Sequence, residues 1–433
     1  MSIFGALLTG VSGLNAFSTS LSITSSNIAN VSTTAYKASD TAFSTMVAAS
    51  SSSGSSSTGV VANTQQYVSG QGLFTSTDND YDLAISGSGF FITSTSSADG
   101  GVVEYTRAGD FSTDTDGYLQ NASGLYLLGY ALTGGTVAAD TALSAIDVDS
   151  LPGTAEASTK VTLTGNLNST TTIDDAYVDG NLTSGDSTAD ATLPVSVYNS
   201  QGGTETLNVA YIKTGANTWA YEVYSTASDI TGDTTGVTTT QLTSGTLEFS
   251  SDGTLLSVDG DTTSGSKDFT IAYDSTAGLS DQTITLNFGT IGGTSGYTQL
   301  ATTSTGTSTT DGYVYGDVSG VSIGTDGIVT ATYSNGMTKP VYQIPLATFS
   351  NPDGLKATSG TAYTATDSSG TATITTAGKN GAGTINSSQL EDSTVDLATE
   401  LTDLITTQRA YSACSKIITT SSDMLDSLIS AVR

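Results

Sequence analysis

Two hydrophobic periods share the chain, and the change from one to the other marks its parts. Read in sevens, the N-terminal segment places Leu7, Leu14, Leu21 and Ile28 on one helical stripe, with Ile3, Phe17 and Val31 at the companion position. The C-terminal segment repeats the device: Leu390, Leu397, Leu404, Tyr411, Ile418, Leu425 and Val432 recur every seven residues, flanked by Leu401, Ile405 and Ile429. Ser393-Thr394-Val395-Asp396 supplies a start signal, with a hydroxyl to cap the helix and a carboxylate for its first turn. A helix is therefore predicted at each end and hardly anywhere else.

Between them the period falls to two. Val195-Ser196-Val197-Tyr198, a Gly-bearing turn and Leu207-Asn208-Val209-Ala210-Tyr211-Ile212 read as strand, turn, strand. Asp252-Gly253 separates two more strands, and Asp326-Gly327 and Asn335-Gly336 bracket Ile328-Val329-Thr330-Ala331-Thr332-Tyr333 as tight hairpin turns. Ala49 to Gly59 is almost all Ser and Gly, and Ser359 to Gly383 is Thr, Ser, Ala and Gly with scarcely an apolar anchor, so both read as linkers. The predicted fold is mainly β with α-helical termini: the helices pair as a coiled coil and antiparallel β domains nest between them. Its parts are a helical assembly domain (1–32 plus 388–433), a linker region (33–70 plus 364–387), an inner β domain (71–145 plus 286–363) and an outer β insertion (146–285).

Charge and composition narrow the function classes. Among 433 residues, Asp and Glu number 41 against 11 Lys and Arg, for a net charge of -30. The cations are scattered singly, which disfavours nucleic acid and anionic membrane surfaces as partners. With no His and a single cysteine, Cys414, the His-dependent triads, the His and Cys zinc sites and any intrachain disulfide are excluded, and no cofactor is expected. Residues 1 to 36 carry no charge, yet they lack the basic start of a signal peptide and are interrupted by polar residues. No stretch approaches the roughly 18 to 20 apolar residues of a membrane span. Export, if it occurs, is expected without a cleaved leader.

One buried stripe does not offset the entropy of ordering so long an N-terminal helix, which Gly5, Gly10 and Gly13 weaken further. A charge-free segment of this length needs cover on more than one side, and neighbouring copies of the same chain could provide it. The alternative is that both helices pack on the chain's own β domains as a terminal hairpin.

Particular residues also resemble a known family. Ser12-Gly13-Leu14-Asn15-Ala16, then Ser26-Asn27-Ile28-Ala29-Asn30 and Thr34-Ala35-Tyr36-Lys37, are similar to the N-terminal signature of bacterial flagellar rod, hook and hook-junction proteins. Val395-Asp396-Leu397, Glu400-Leu401 and Gln408-Arg409-Ala410-Tyr411 resemble the matching C-terminal end. Tyr81 to Phe91, including Gly89-Phe90-Phe91, and Tyr105 to Phe111 are similar to the segment shared by distal rod and hook proteins, and the β insertion points to hooks. The resemblance implies a helical homopolymer whose terminal helices line an export channel, and a joint that passes torque from motor rod to filament. It implies as partners further copies of the chain, the distal rod protein, the hook cap, the hook-filament junction protein and the flagellar type III export apparatus. Phe43-Ser44-Thr45-Met46-Val47 fits the family's Phe-x-x-x-hydrophobic export element through Phe43 and Val47, as Phe4 to Leu8 also does.

Competing sites are weak. Asp114-Thr115-Asp116-Gly117 partly imitates a calcium loop, but Ser123 stands where the bidentate Glu belongs. Nothing pairs two of the 41 acids as a glycosidase would. A secreted β-rich adhesin suits the composition but has no need of heptad stripes at its extreme ends. Removing residues 1 to 30 is expected to leave a folded, strictly monomeric core, and normal tubes from the truncated chain in negative-stain electron microscopy would contradict the assembly reading.

Overall fold

A computed structural model describes residues 3–47, 57–98, 100–137, 142–227, 230–231 and 240–431. The chain divides into two compact units. The first comprises Met1–Leu151, Gly320–Thr332 and Thr338–Arg433, and the second Pro152–Ser319 and Tyr333–Met337. The inserted unit therefore runs past the expected end at 285 and takes in 286–319, which the sequence pattern assigned to the inner domain.

In the first unit, helix α1 (Ile3–Ala29) is followed by a hairpin of β1 (Ser39–Val47) and β2 (Ser57–Gln66), and helix α2 (Leu397–Ala431) closes the chain. The hairpin is a correction to the linker reading of 33–70: Ser39 pairs with Gln66 and Phe43 with Ala62 in antiparallel register. Residues 48–56, including most of the Ser run of the expected Ala49–Gly59 linker, lie outside the described residues. The linker reading of 364–387 is corrected too. Thr373–Thr376 pairs with Pro345–Thr348, Thr384–Ser387 pairs with Leu83–Ser86, and just ahead of them Ala362–Thr364 pairs with Val103–Thr106. Thr-rich segments need few apolar anchors to serve as strands, because a β-branched residue suits a half-exposed pleated surface and the backbone supplies the pairing. Tyr363 is the anchor that matters, buried against Phe90 with ring centroids 6.0 Å apart.

The β core of this unit gathers Leu83, Ile85, Phe91, Phe111, Leu127, Val329, Leu346 and Ile385. Gly89 is required there: its φ is +132°, and a Cβ would lie 3.3 Å from that of Leu346. The 114–118 turn uses Asp114 locally, its carboxylate accepting from the Asp116 and Tyr118 N–H groups, both at 2.9 Å.

The second unit faces two sheets across one core. An antiparallel sheet orders Ala191–Tyr198, Thr204–Lys213, Thr218–Ser225, Thr240–Phe249 and Leu255–Val258. In the other, Lys160–Asn168 runs parallel to Gln282–Asn287 and to Tyr297–Leu300, a departure from the wholly antiparallel expectation. Period-two patterning reports which face a residue occupies and carries no information on strand direction. Trp219 sits fully buried among Tyr211, Tyr221, Phe249 and Phe288, its indole N–H donating to Gln299 Oε1 at 3.0 Å.

Because Trp219 is the chain's single tryptophan, its fluorescence reports this unit alone. Leu207→Ala, in the same core, is expected to cost about 2–5 kcal/mol and to lower the urea midpoint of the Trp219 transition. The helical circular dichroism of the first unit should keep its own midpoint.

Candidate assembly site

The two terminal helices meet antiparallel. A Cβ on Gly10 would reach Ile418 Cγ1 at 3.0 Å, one on Gly13 would reach Cys414 Sγ at 2.9 Å, and Asn27 bonds Glu400. The buried stripe of α1 is Gly10, Gly13, Ala16, Ser20, Thr24 and Asn27, and Thr407 and Ser421 are buried on α2. Small side chains thus let the two backbones approach closely. Gly10 and Gly13, which weaken an isolated helix, are what the pairing requires, and Cys414 packs half-buried as a small apolar residue.

That places the leucine stripes elsewhere than the centre of the contact. Leu7, Leu14, Phe17, Leu21 and Ile28 on α1, and Leu404, Ile418 and Leu425 on α2, are half-buried. Leu397 and Tyr411 are exposed, as are Leu8 at 61% and Ile429 at 63%. Leu390, expected to open the C-terminal stripe, lies instead in a strand, Gln389–Glu391, paired with Phe74–Ser76. Val432 falls outside the described residues. The cap of α2 is Asp396, whose carboxylate accepts from the Ala398 N–H at 2.8 Å and the Thr399 N–H at 3.3 Å. The hydroxyls of the expected start signal are used elsewhere: Ser393 Oγ accepts from the Val395 N–H at 3.3 Å and Thr394 Oγ1 from the Ala38 N–H at 2.9 Å.

The β1–β2 hairpin is the second partner of α1. The Ser12 hydroxyl accepts from the Val60 N–H at 3.3 Å, and the Phe17 and Phe43 rings stand 5.6 Å apart. Phe43 is nonetheless 48% exposed; Val47 ends β1, and its side chain is outside the described residues. A groove of about 510 Å³ opens between α1, β1 and α2.

At the root of the helices, Asn27 is buried and its amide is used on both sides. Nδ2 donates to the Ser39 carbonyl at 2.7 Å and to Glu400 Oε1 at 2.8 Å, while Oδ1 accepts from the Ser39 N–H at 3.1 Å and the Tyr36 hydroxyl at 3.2 Å. Burial holds the Glu400 carboxyl above its usual range, against the Asn27 hydrogen bond. Asn30 Nδ2 bonds the Ser26 carbonyl to finish α1, with Ile28 half-buried and Ala29 exposed.

Below lies a buried charge cluster. Glu391 pairs with Lys37 through Oε1 and with Arg107 through Oε2 at 3.4 Å, and all three side chains are nearly inaccessible. Lys37 also donates to the Gly70 carbonyl at 2.6 Å, and Arg107 donates to the Gly87 carbonyl at 2.7 Å while lying 5.4 Å over the Phe90 ring. Burial pushes the Lys37 ammonium below its ordinary pKa, against the pull of Glu391. The motif residues Gly89, Phe90 and Phe91 are thereby tied to the helix root. Gln408 and Arg409 are exposed on α2. Sequence reading passed over Glu391 and Thr407, and named Glu400 only as part of the C-terminal motif. One clue was available: Lys37 is the first charge after 36 uncharged residues, and a lone cation at a motif's end calls for a carboxylate elsewhere.

Among the described residues no three His, Cys, Asp or Glu side chains gather as a metal site, and no helix is long and apolar enough to cross a membrane.

Helices from both chain ends pinned together, with apolar side chains left outward and β units between them in sequence, define the class of axial subunits of the bacterial flagellum. Four family descriptions match in order: "Flagella basal body rod protein" over residues 7–37, "Flagellar hook protein FlgE/F/G D1 domain" over 84–169, "Flagellar basal body protein FlaE D2 domain" over 166–313, and "Flagellar basal body rod FlgEFG protein C-terminal" over 386–431. The flagellar hook protein FlgE of Rhizobium meliloti (strain 1021) is 37% identical over the full length of both chains. That of Escherichia coli (strain K12) is 33% identical over 97% of this chain and 98% of its own. The crystal structure of Helicobacter pylori flagellar hook protein FlgE2 aligns with 72% of this chain and 99% of its own, at a TM-score of 0.48 and 15% identity. The chain belongs to the flagellar hook protein family, whose members are structural subunits of the flagellum.

Replacing Glu391 by Gln leaves Lys37 and Arg107 buried without a carboxylate. The expected cost is about 3–5 kcal/mol, read as a lower thermal midpoint for the first unit; an unchanged midpoint would show that the cluster does not hold the helix root.

Proposed function

We propose that copies of this chain polymerise through their terminal helices into a tubular hook that encloses an export channel and passes torque from the motor rod to the filament. The observation that supports this most directly is the disposition of α1 and α2. Their mutual contact centres on small residues, which leaves the leucine stripes only half-buried and Leu8, Val11, Leu397, Leu401, Ile405, Tyr411 and Ile429 exposed, apolar surface that further copies could cover. The uncharged first 36 residues make such crowding electrostatically tolerable in a chain of net charge -30. Leu7, Leu14, Phe17, Leu21, Ile28, Leu397, Leu404, Tyr411, Ile418 and Leu425 are the side chains proposed to share this burial between copies.

The family assignment extends the proposal to the distal rod protein below, the hook cap and hook-filament junction protein above, and the flagellar type III export apparatus as the route out, without leader cleavage. Phe43 and Val47 are proposed as the export element, presented by the unfolded chain in transit. In this reading the protein works by mechanics and carries out no catalysis.

Leu8→Ser and Ile429→Ser test the proposal without touching the fold. At such exposed positions each should change stability by no more than about 0.5 kcal/mol. Polymer yield in sedimentation is nevertheless expected to fall sharply, and full yield from both variants would contradict the proposal.

A further inference from the structure

The groove between α1, β1 and α2 carries charges that its own chain leaves unmatched. Phe17, Phe43 and Tyr67 form apolar walls, and Asp40, Glu400 and Asp403 bring three carboxylates to one lining. Among the described residues the ion pairs are Lys37–Glu391, Arg107–Glu391 and Lys267–Asp259, so none of the groove acids is neutralised by a neighbouring cation. The three do not gather as a metal site. A planar, forked guanidinium suits such a spread of carboxylates better than a point charge, and it also stacks on aromatic rings.

The same chain presents a match on a different face. Leu401, Ile405 and Arg409, spaced by four, form one exposed ridge of α2, and none of them lines the groove. At about 100° per residue, Arg409 stands roughly 120° from Asp403 and from the mean direction of the α2 positions that line the groove, and it is not among the groove's lining residues. Lys416, seven residues on, repeats the positive charge on that exposed face.

We propose that the groove of one copy receives this ridge of the next, with Leu401 and Ile405 against the aromatic walls and Arg409 between the carboxylates. Because groove and ridge are different surfaces, the contact is heterologous. Each copy that gives its ridge still offers an empty groove, and repetition builds an open helical filament instead of a closed dimer. The inference rests on the polymerisation proposed above and names one contact that drives it.

The test is a charge swap in the full-length protein, read as the critical concentration for polymer by sedimentation and electron microscopy. Arg409→Glu and Asp403→Arg are each expected to raise it at least about tenfold, since like charges then face one another. The Arg409→Glu/Asp403→Arg double variant is expected to return to within about threefold of the parent. Matching circular dichroism and thermal midpoints of the monomers verify that each variant is folded. Single variants that assemble like the parent overturn the contact, and so does a folded double variant that fails to recover. A parent chain that forms no ordered polymer would instead overturn the polymerisation reading itself, whatever the variants do.

Discussion

The covering of one uncharged helix is the constraint from which most of this structure follows. Nothing in residues 1 to 36 carries a charge, so no face of α1 is strongly held in water, yet a single partner helix covers only one stripe of it. The chain responds with two partners. Helix α2 lies close because Gly10, Gly13, Ala16 and Ser20 leave room for it, and the β1–β2 hairpin closes a second side through Ser12 and Phe17. What these leave outward, Leu8 and Val11 on α1 and Leu397, Leu401, Ile405, Tyr411 and Ile429 on α2, is apolar surface for which a single chain has no cover. Assembly, as proposed above, would complete that cover.

The helices also need a fixed base if a polymer built on them is to bear load. Asn27 joins the end of α1, the start of β1 and the first turn of α2 through four hydrogen bonds. Directly beneath, Lys37, Arg107 and Glu391 are sealed from water, where each charge depends on the others for its solvation. A buried ionic cluster is a weak source of net stability but an exacting one in geometry. Through Arg107 it links the root of the helices to Gly87 and the Phe90 ring.

The two terminal helices and the β character between them were legible in the sequence, because heptads and period-two runs are direct imprints of burial on one face. The centre of the helix contact was not. A scan for large apolar residues counts Gly10, Gly13, Ser20 and Thr24 as interruptions, although close packing of backbones uses just such residues. The hairpin at 39–66 and the strands at 362–387 were read as linkers, since Thr, Ser and Ala carry little hydrophobic signal and their strand pairing is recorded only in backbone hydrogen bonds. Lys37 and Glu391 are separated by 354 positions, and no local pattern joins them. The groove acids and the Arg409 ridge were legible as residues, but their placement on separate faces depends on how α1, β1 and α2 are arranged.

The most direct measurement is residue-resolved hydroxyl-radical footprinting of the full-length chain as dilute monomer and as polymer. The account predicts that Leu397, Leu401, Ile405 and Tyr411 react readily in the monomer and become protected in the polymer, while buried Trp219 stays unreactive in both. Equal reactivity of those four side chains in the two states would contradict it, because the outward apolar faces would then remain uncovered by assembly.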